Sequence, residues 1–154
     1  MKGVLMVCLG NICRSPIAEG ILKHKFSQHG IGLEVDSAGT LAYHAGERPD
    51  FRARQITKQH GINISDQVSR LFVPEDFDRF DRIYAMDMPN YHSLKAKARN
   101  EEDKAKVELI LNRLYPGENR QVPDPYYGMD DGFQHVYDLL DAACDEIVKD
   151  YTDR

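Results

Sequence analysis

No stretch of this sequence is apolar for long enough to cross a membrane as a helix, which sets the helical membrane proteins aside at the outset. The run Val4 to Leu9 is also too short for a signal peptide, and no small residue precedes Cys8 as a lipidation site would require. Cysteine is scarce. Cys8, Cys13 and Cys144 are an odd number without metal-ligand spacing, which argues against a disulfide scaffold and for a reducing, cytoplasmic compartment. The six histidines are scattered, with no pair four apart joined by a third ligand, so no metal centre is expected. Excess positive charge is lacking too: 20 lysines and arginines against 25 aspartates and glutamates give a net charge of -5, which argues against generic binding to nucleic acid or to an acidic membrane surface. There is no tryptophan, no internal repeat and no low-complexity run, a composition ordinary for a globular protein. At 154 residues, 1–154 is expected to form one domain.

What the sequence does contain is a nine-residue string with a definite chemical order, Cys8-Leu9-Gly10-Asn11-Ile12-Cys13-Arg14-Ser15-Pro16. Leu5 to Leu9 read as a buried strand, Gly10 and Asn11 tolerate positive φ, and Pro16 suits the first turn of a helix. The loop Leu9 to Ser15 between that strand and that helix would wrap its backbone N–H groups around an anion. The helix N-terminus adds unpaired donors and about half a positive charge. Phosphate is the natural occupant. The same dipoles, together with the Arg14 guanidinium, favour the thiolate of Cys8 and make it a nucleophile. Arg14 presents a planar fork that matches two phosphoryl oxygens, a geometry lysine cannot copy. Ser15 can give its hydroxyl proton to the sulfur and stabilise it as a leaving group. The string therefore predicts phosphoryl transfer to sulfur without metal or other cofactor, because the cradle itself neutralises the transferring group. A cysteine and an arginine six apart recur by chance, and a strand cysteine is usually a small apolar residue. The full context of strand, Gly-Asn, Ser-Pro and helix is what makes the signal specific.

The hydrophobic spacing supplies a frame. Ala18 to His29 reads as a helix that ends at Gly30, with Ile17, Ile21, Leu22 and Phe26 in helical register. Ile31 to Asp36 alternates as a strand, closed by Ser37-Ala38-Gly39, and a polar loop follows through Tyr43 and Gly46. Asp50 caps a helix that runs to His60 and stops at Gly61, Val73 to Phe80 is a short helical turn, and Arg82 to Met86 a strand. Pro89 to Arg99 is a helix, Val107 to Leu114 is either helix or strand, Glu118 to Gly132 is a long surface loop, and Phe133 to Tyr151 is an amphipathic helix. Strands alternating with helices imply a parallel α/β sheet. Ligands of such sheets sit at the carboxyl ends of the strands, which is where Cys8 falls.

A thiolate attacking a phosphoester needs an acid to protonate the leaving oxygen. Among 25 acidic residues Asp124 stands out, because Asp124-Pro125-Tyr126-Tyr127 combines a stiffened turn with aromatic side chains able to wall an aryl leaving group. By itself this tetrapeptide is as readily a plain turn; with the cradle present it reads as the acid loop.

Together the two motifs resemble the low-molecular-weight protein tyrosine phosphatases, and the resemblance spans nearly the whole chain. Asp36-Ser37, His60-Gly61-Ile62-Asn63, Met86-Asp87 and Asp124-Pro125-Tyr126-Tyr127-Gly128 fall where that family would place them. The resemblance implies a four-stranded parallel sheet with helices on both faces. It implies hydrolysis of phosphotyrosine monoesters on proteins or peptides, with inorganic phosphate as product. Cys8 would form a phosphocysteine, Arg14 would hold the phosphoryl oxygens, and Asp124 would serve as acid and then as base. Asn11 would keep the cradle in shape with Ser37 as its hydrogen-bond partner. Cys13 would occupy the family's second cysteine position, able to form a reversible disulfide with Cys8 and shield it from over-oxidation. Ile12, Tyr43, Tyr126 and Tyr127 would form the substrate rim, a slot too deep for phosphoserine. Ile12 stands where the phosphoarginine-specific branch has threonine, which favours phosphotyrosine. One departure is visible: where the family carries histidine in a segment supporting the cradle, this chain has Gln67, in Gln67-Val68-Ser69-Arg70-Leu71.

Rival readings fit less well. An arsenate reductase on the same fold needs a mid-chain cysteine pair, whereas Cys144 shares an apolar helical face with Leu140, Ile147 and Val148. A non-catalytic redox or phosphate-binding module would have no need of both Arg14 and Asp124. A nucleotide-binding P-loop would need lysine where Arg14 stands.

Overall fold

The structure is a computed structural model and describes residues 2–126 and 131–152. Its first strand, β1 (Gly3–Cys8), is buried along its whole length and pairs on both edges. Side chains of a strand alternate between faces. Val4, Met6 and Cys8 accordingly enter one core, while Leu5 and Val7 enter a second core on the opposite face. A strand that must be apolar on both sides reads as an unbroken hydrophobic run, as the sequence shows.

The other strands are β2 (Glu34–Gly39), β3 (Arg82–Ala85) and β4 (Val107–Leu109). All four are parallel, in the order β2-β1-β3-β4. The first crossover goes to one side of β1 and the later chain returns to the other, so strand order reverses between β1 and β3. The crevice beyond the carboxyl ends of these two strands is where such sheets take ligands.

The helices are α1 (Arg14–Gln28), α2 (Phe51–Gln59), α3 (Asp76–Arg79), α4 (Met88–Lys97), α5 (Glu101–Ala105) and α6 (Asp131–Thr152), with a 3-10 turn at Ile110–Arg113. The α1 and α6 side chains Ile17, Ile21, Leu22, Val136, Leu140 and Ile147 pack into the core on the Met6 face. Phe77 of α3, Phe80 and Leu94 of α4 close the opposite face around Leu5 and Val7. Helices therefore cover both faces of the sheet. Cys144 is fully buried in the first core, in line with its apolar register on α6. No helix among the described residues is long and apolar enough to cross a membrane.

Several boundaries differ from the sequence reading. Leu9 is not the last residue of β1 but a loop residue with a side chain 44% exposed, because the chain turns away from the sheet at Cys8 to form the cradle. The first helix starts at Arg14 rather than Ala18, so Pro16 sits in its first turn, where a missing N–H costs nothing. β2 begins later than Ile31 and continues through Ser37 to Gly39, which pairs opposite Cys8. Val107 to Leu114 is both alternatives in turn, a three-residue strand followed by the 3-10 turn. A short helix, α5, capped by the Asn100 side chain on Asp103 N–H, was not anticipated.

Candidate active site

Between β1 and α1 the chain makes a tight loop whose conformation is set by Asn11. Its φ of 58° lies in the left-handed region, which asparagine enters more readily than most residues. Three hydrogen bonds hold its side chain there. Nδ2 donates to Ser15 Oγ at 2.8 Å and to Ser37 Oγ at 2.9 Å, and Oδ1 accepts from the Arg70 N–H at 3.1 Å. Both amide protons are thus spent on hydroxyl oxygens, and the direction of the chain follows. Ser37 passes its own proton to Glu19 Oε1 at 2.6 Å. Ser15 Oγ, which accepts from Asn11, lies 2.9 Å from Cys8 Sγ, where its hydroxyl can donate to the sulfur whenever Cys8 is a thiolate. Asn11 and Ser37 are therefore joined as the family resemblance implied.

The backbone amides of Gly10, Asn11, Ile12 and Cys13 donate to no protein acceptor among the described residues. The N-terminus of α1 likewise carries no side-chain cap and no acidic residue in its first turn. These free donors belong to the loop and helix start that line the pocket with Cys8, the setting an oxyanion cradle requires. Space for the loop is kept by glycine. A Cβ on Gly39, at the end of β2, would stand 2.8 Å from Leu9 O and 3.2 Å from Asn11 N, so no other residue fits there without moving the cradle.

Arg14 is 3% exposed. Its Nη1 donates to Asp87 Oδ2 at 2.7 Å and to Val122 O at 3.0 Å, which fixes the plane of the fork. Burial disfavours its charge, but Cys8, Asp87 and Asp124 more than offset that, and its pKa stays above the ordinary arginine value. Asp124 brings Oδ2 to 3.7 Å from Arg14 Nη2, while its Oδ1 accepts the Tyr126 N–H at 3.0 Å. Cys8, Arg14 and Asp124, 116 residues apart at the extremes, line one pocket of about 500 Å³ together with Leu9, Gly10, Ile12 and Cys13. Burial, chiefly, with Asp50 and Cys8 adding to it, pushes the Cys13 thiol well above the usual cysteine range. The Cys144 thiol is pushed up by burial too. All three cysteines are free and buried.

The mouth of this pocket carries Tyr43, 84% exposed, and Tyr126, with Leu41 and His44 beside them. The His44 ring packs edge-on to Tyr43 at 4.7 Å between centroids and tilts toward Tyr126 at 6.2 Å, with Nδ1 on Glu47 at 3.0 Å. Tyr127 lies outside the described residues.

The segment expected to support the cradle does so through other atoms than those expected. Gln67 Nε2 donates to Pro16 O at 3.1 Å, inside α1, and not to the cradle itself. Support comes instead from Ser69 Oγ, which donates to Gly10 O at 2.9 Å, and from the Arg70 amide on Asn11. Sequence reasoning also missed Asp87, Glu19, Asp50, Arg52, Leu41 and His44. The sequence marks Asp87 only within Met86-Asp87 and Asp50 only as a helix cap, and Glu19 leaves a trace as a charge inside the apolar run Ile17 to Leu22 with Lys23 four residues on.

The chain that brings this loop, arginine and carboxylate to one pocket is similar to known proteins. The profile of the family described as low molecular weight phosphotyrosine protein phosphatase matches residues 3–153. This chain belongs to that family. The human low molecular weight phosphotyrosine protein phosphatase is 42% identical over 146 residues, 93% of this chain and 91% of that protein. Among solved structures, a protein tyrosine phosphatase from Entamoeba histolytica superposes with a TM-score of 0.91 at 39% identity, covering 99% of this chain and 98% of that one. A Drosophila arginine phosphatase superposes with a TM-score of 0.90 at 34% identity, covering 98% of each chain. The fold of this low molecular weight phosphatase, its four parallel strands and its layered helices, is the one these relatives share.

Proposed function

We propose that this protein is a cytoplasmic protein tyrosine phosphatase acting through Cys8, Arg14 and Asp124. The observation that carries the reading is the single pocket lined by Cys8, Arg14 and Asp124, with Ser15 Oγ 2.9 Å from the sulfur and able to donate to its thiolate. Cys8 Sγ attacks phosphorus, the P–O bond to the tyrosyl ring breaks, and Asp124 gives its proton to the departing oxygen. The equatorial phosphoryl oxygens rest on the loop amides and the Arg14 fork. In the second step water attacks the phosphocysteine, Asp124 takes the water's proton, and the S–P bond breaks to release inorganic phosphate. The Ser15 hydroxyl stabilises the returning thiolate. No step calls for a metal.

Ile12, Tyr43 and Tyr126 at the rim favour a flat aromatic ester over a short aliphatic one. Residues 1–154 act as one catalytic domain in this reading. Cys13 serves as the partner that captures Cys8 after its oxidation to sulfenic acid: the Cys13 sulfur bonds to the Cys8 sulfur and hydroxide leaves as water. The raised pKa of Cys13 keeps it a thiol in the resting enzyme, so it does not compete with Cys8 as a nucleophile.

The deciding experiment is a side-by-side assay, in excess chelator, on phosphotyrosine, phosphoarginine and phosphoserine peptides, with arsenate plus thioredoxin as a further arm. Turnover of phosphotyrosine well above the others is expected. Preference for phosphoarginine would transfer the protein to the arginine phosphatase branch, and a requirement for added divalent metal would overturn the mechanism.

A further inference from the structure

We propose that Arg52 is a positioning residue for the acid: with Asp50 it forms a strut between the phosphate cradle and the loop that carries Asp124. This inference rests on the assignment of Asp124 as acid and adds the part that sets its place.

The links can be followed atom by atom. Asp50 N–H donates to the carbonyl of Ile12 in the cradle at 2.8 Å. The Asp50 carboxylate caps α2, accepting the Arg52 N–H at 2.8 Å, and then receives the Arg52 guanidinium as a fork, Nε to Oδ1 at 3.1 Å and Nη2 to Oδ2 at 3.3 Å. The same Nη2 donates to the carbonyl of Tyr126 at 2.9 Å. The guanidinium also lies over the rings of Phe133 and Tyr126, 4.7 Å and 5.7 Å from their centroids. Finally the Tyr126 N–H holds Asp124 Oδ1, the one direct hydrogen bond of that carboxylate among the described residues.

Asp124 needs such a strut because its own surroundings do little to fix it. Its side chain is 38% exposed, and Arg14 at 3.7 Å attracts it without a hydrogen bond. Pro125 stiffens the turn but offers no N–H, so the direction of the carboxyl depends on where Tyr126 is held. The far end of the loop is anchored independently, by Val122 N–H on Met86 O at 2.8 Å and by Arg14 on Val122 O. Arg52 does not line the pocket, so its effect on the reaction would pass through Tyr126 and not through the substrate. A guanidinium can grip a carboxylate and a carbonyl from one plane, whereas an ammonium holds them only as a point charge.

The test is a series of aryl phosphates running from strongly acidic phenols to phosphotyrosine, read as kcat/KM, which reports the steps through loss of the phenol. Arg52→Ala should lower kcat/KM about 10- to 100-fold on phosphotyrosine and only about 2-fold on the most acidic phenol, since misplaced acid matters least where protonation is least needed. Arg52→Lys should fall between, and Asp50→Asn, which keeps the helix cap but weakens the fork, should steepen the same series to a smaller degree. Adding Arg52→Ala to Asp124→Ala should not steepen the series further. Alkylation of Cys8 by iodoacetate, and its protection by inorganic phosphate, should be unchanged in Arg52→Ala. A uniform loss on all esters, or loss of phosphate protection, would overturn the strut. A steep series for Asp124→Ala with a flat one for Arg52→Ala would overturn the strut alone, whereas a flat series for Asp124→Ala would overturn the acid assignment itself.

Discussion

Compare the two loops that face each other across the pocket. In the cradle, Asn11 to Ser15 are buried throughout and held by many bonds, from within the loop and from β2 and α1, with Asp50, Ser69, Arg70, Asp87 and Val122 adding support from outside. In the acid loop, Asp124 is partly exposed, its carboxylate has one direct hydrogen bond among the described residues, from the Tyr126 N–H, and the loop is tied down by Met86 beyond the end of β3, Arg14 in α1 and Arg52 in α2. One loop is buried and held by many bonds, and the other is partly exposed and held by few. The difference matches the chemical tasks proposed for them. A cradle must hold several N–H donors aimed at one point without reorganising during the reaction. A group that acts first as acid and then as base needs contact with the attacking water, whose proton it takes in the second step, and can tolerate a longer lever.

The comparison is most sharply tested by Cys8→Ser, which should leave turnover undetectable in a phosphate-release assay while tight phosphate binding survives, because the cradle amides do not depend on the sulfur. Next in size, Asp124→Ala should cost about 100-fold or more on phosphotyrosine and far less on an ester of a very acidic phenol; equal losses would remove Asp124 from the role of acid. Asn11→Ala should separate the loops by stability. It deletes three hydrogen bonds and leaves alanine at positive φ. The expected loss is about 3 kcal/mol, or roughly 6–12 °C in Tm by calorimetry, whereas Asp124→Ala should barely move Tm. Cys13→Ser should leave turnover intact and impair only recovery from peroxide after reduction; full recovery would end the protective role. The smallest effect concerns Glu19, whose pKa burial raises against the pull of Lys23 and Ser37. The unfolded chain releases this proton at a lower pH than the folded one. Wild type should therefore lose stability relative to Glu19→Gln as pH rises from the ordinary carboxylate range through the raised value, and denaturant titrations across that window read the slope.

The buried cradle is also the more legible of the two. Cys8, Gly10, Asn11, Arg14 and Ser15 could be assigned parts because their chemistry is local: a strand end, a residue suited to positive φ and a helix start follow within nine residues. Asp124 was legible only through Pro125 and the tyrosines, and only once the cradle implied a need for acid. Its supports were not legible at all. Nothing in Asp50-Phe51-Arg52 says that the arginine reaches a carbonyl 74 residues further on, because that depends on how α2 is set against the last loop. The misplaced edges of β1, β2 and α1 share one cause. Sequence periodicity reports burial, whereas the edges are set by backbone pairing: the chain leaves the sheet at Cys8, and β2 stays paired with β1 through Ser37 to Gly39.

By itself, then, the sequence determined the parallel α/β frame, the anion loop with its thiol and guanidinium, and the apolar faces that bury α1 and α6. These rest on short-range periodicity and on backbone preferences, which are properties of neighbouring residues. Only the tertiary structure decided that Asp87 and Val122 would orient Arg14, that Ser69 and Arg70 rather than Gln67 would support the cradle, and that Glu19 would end the hydrogen-bond chain to Cys8. Each of these is a pairing between distant residues. Its geometry exists only when the sheet order β2-β1-β3-β4 has brought the carboxyl ends of β1 and β3 side by side.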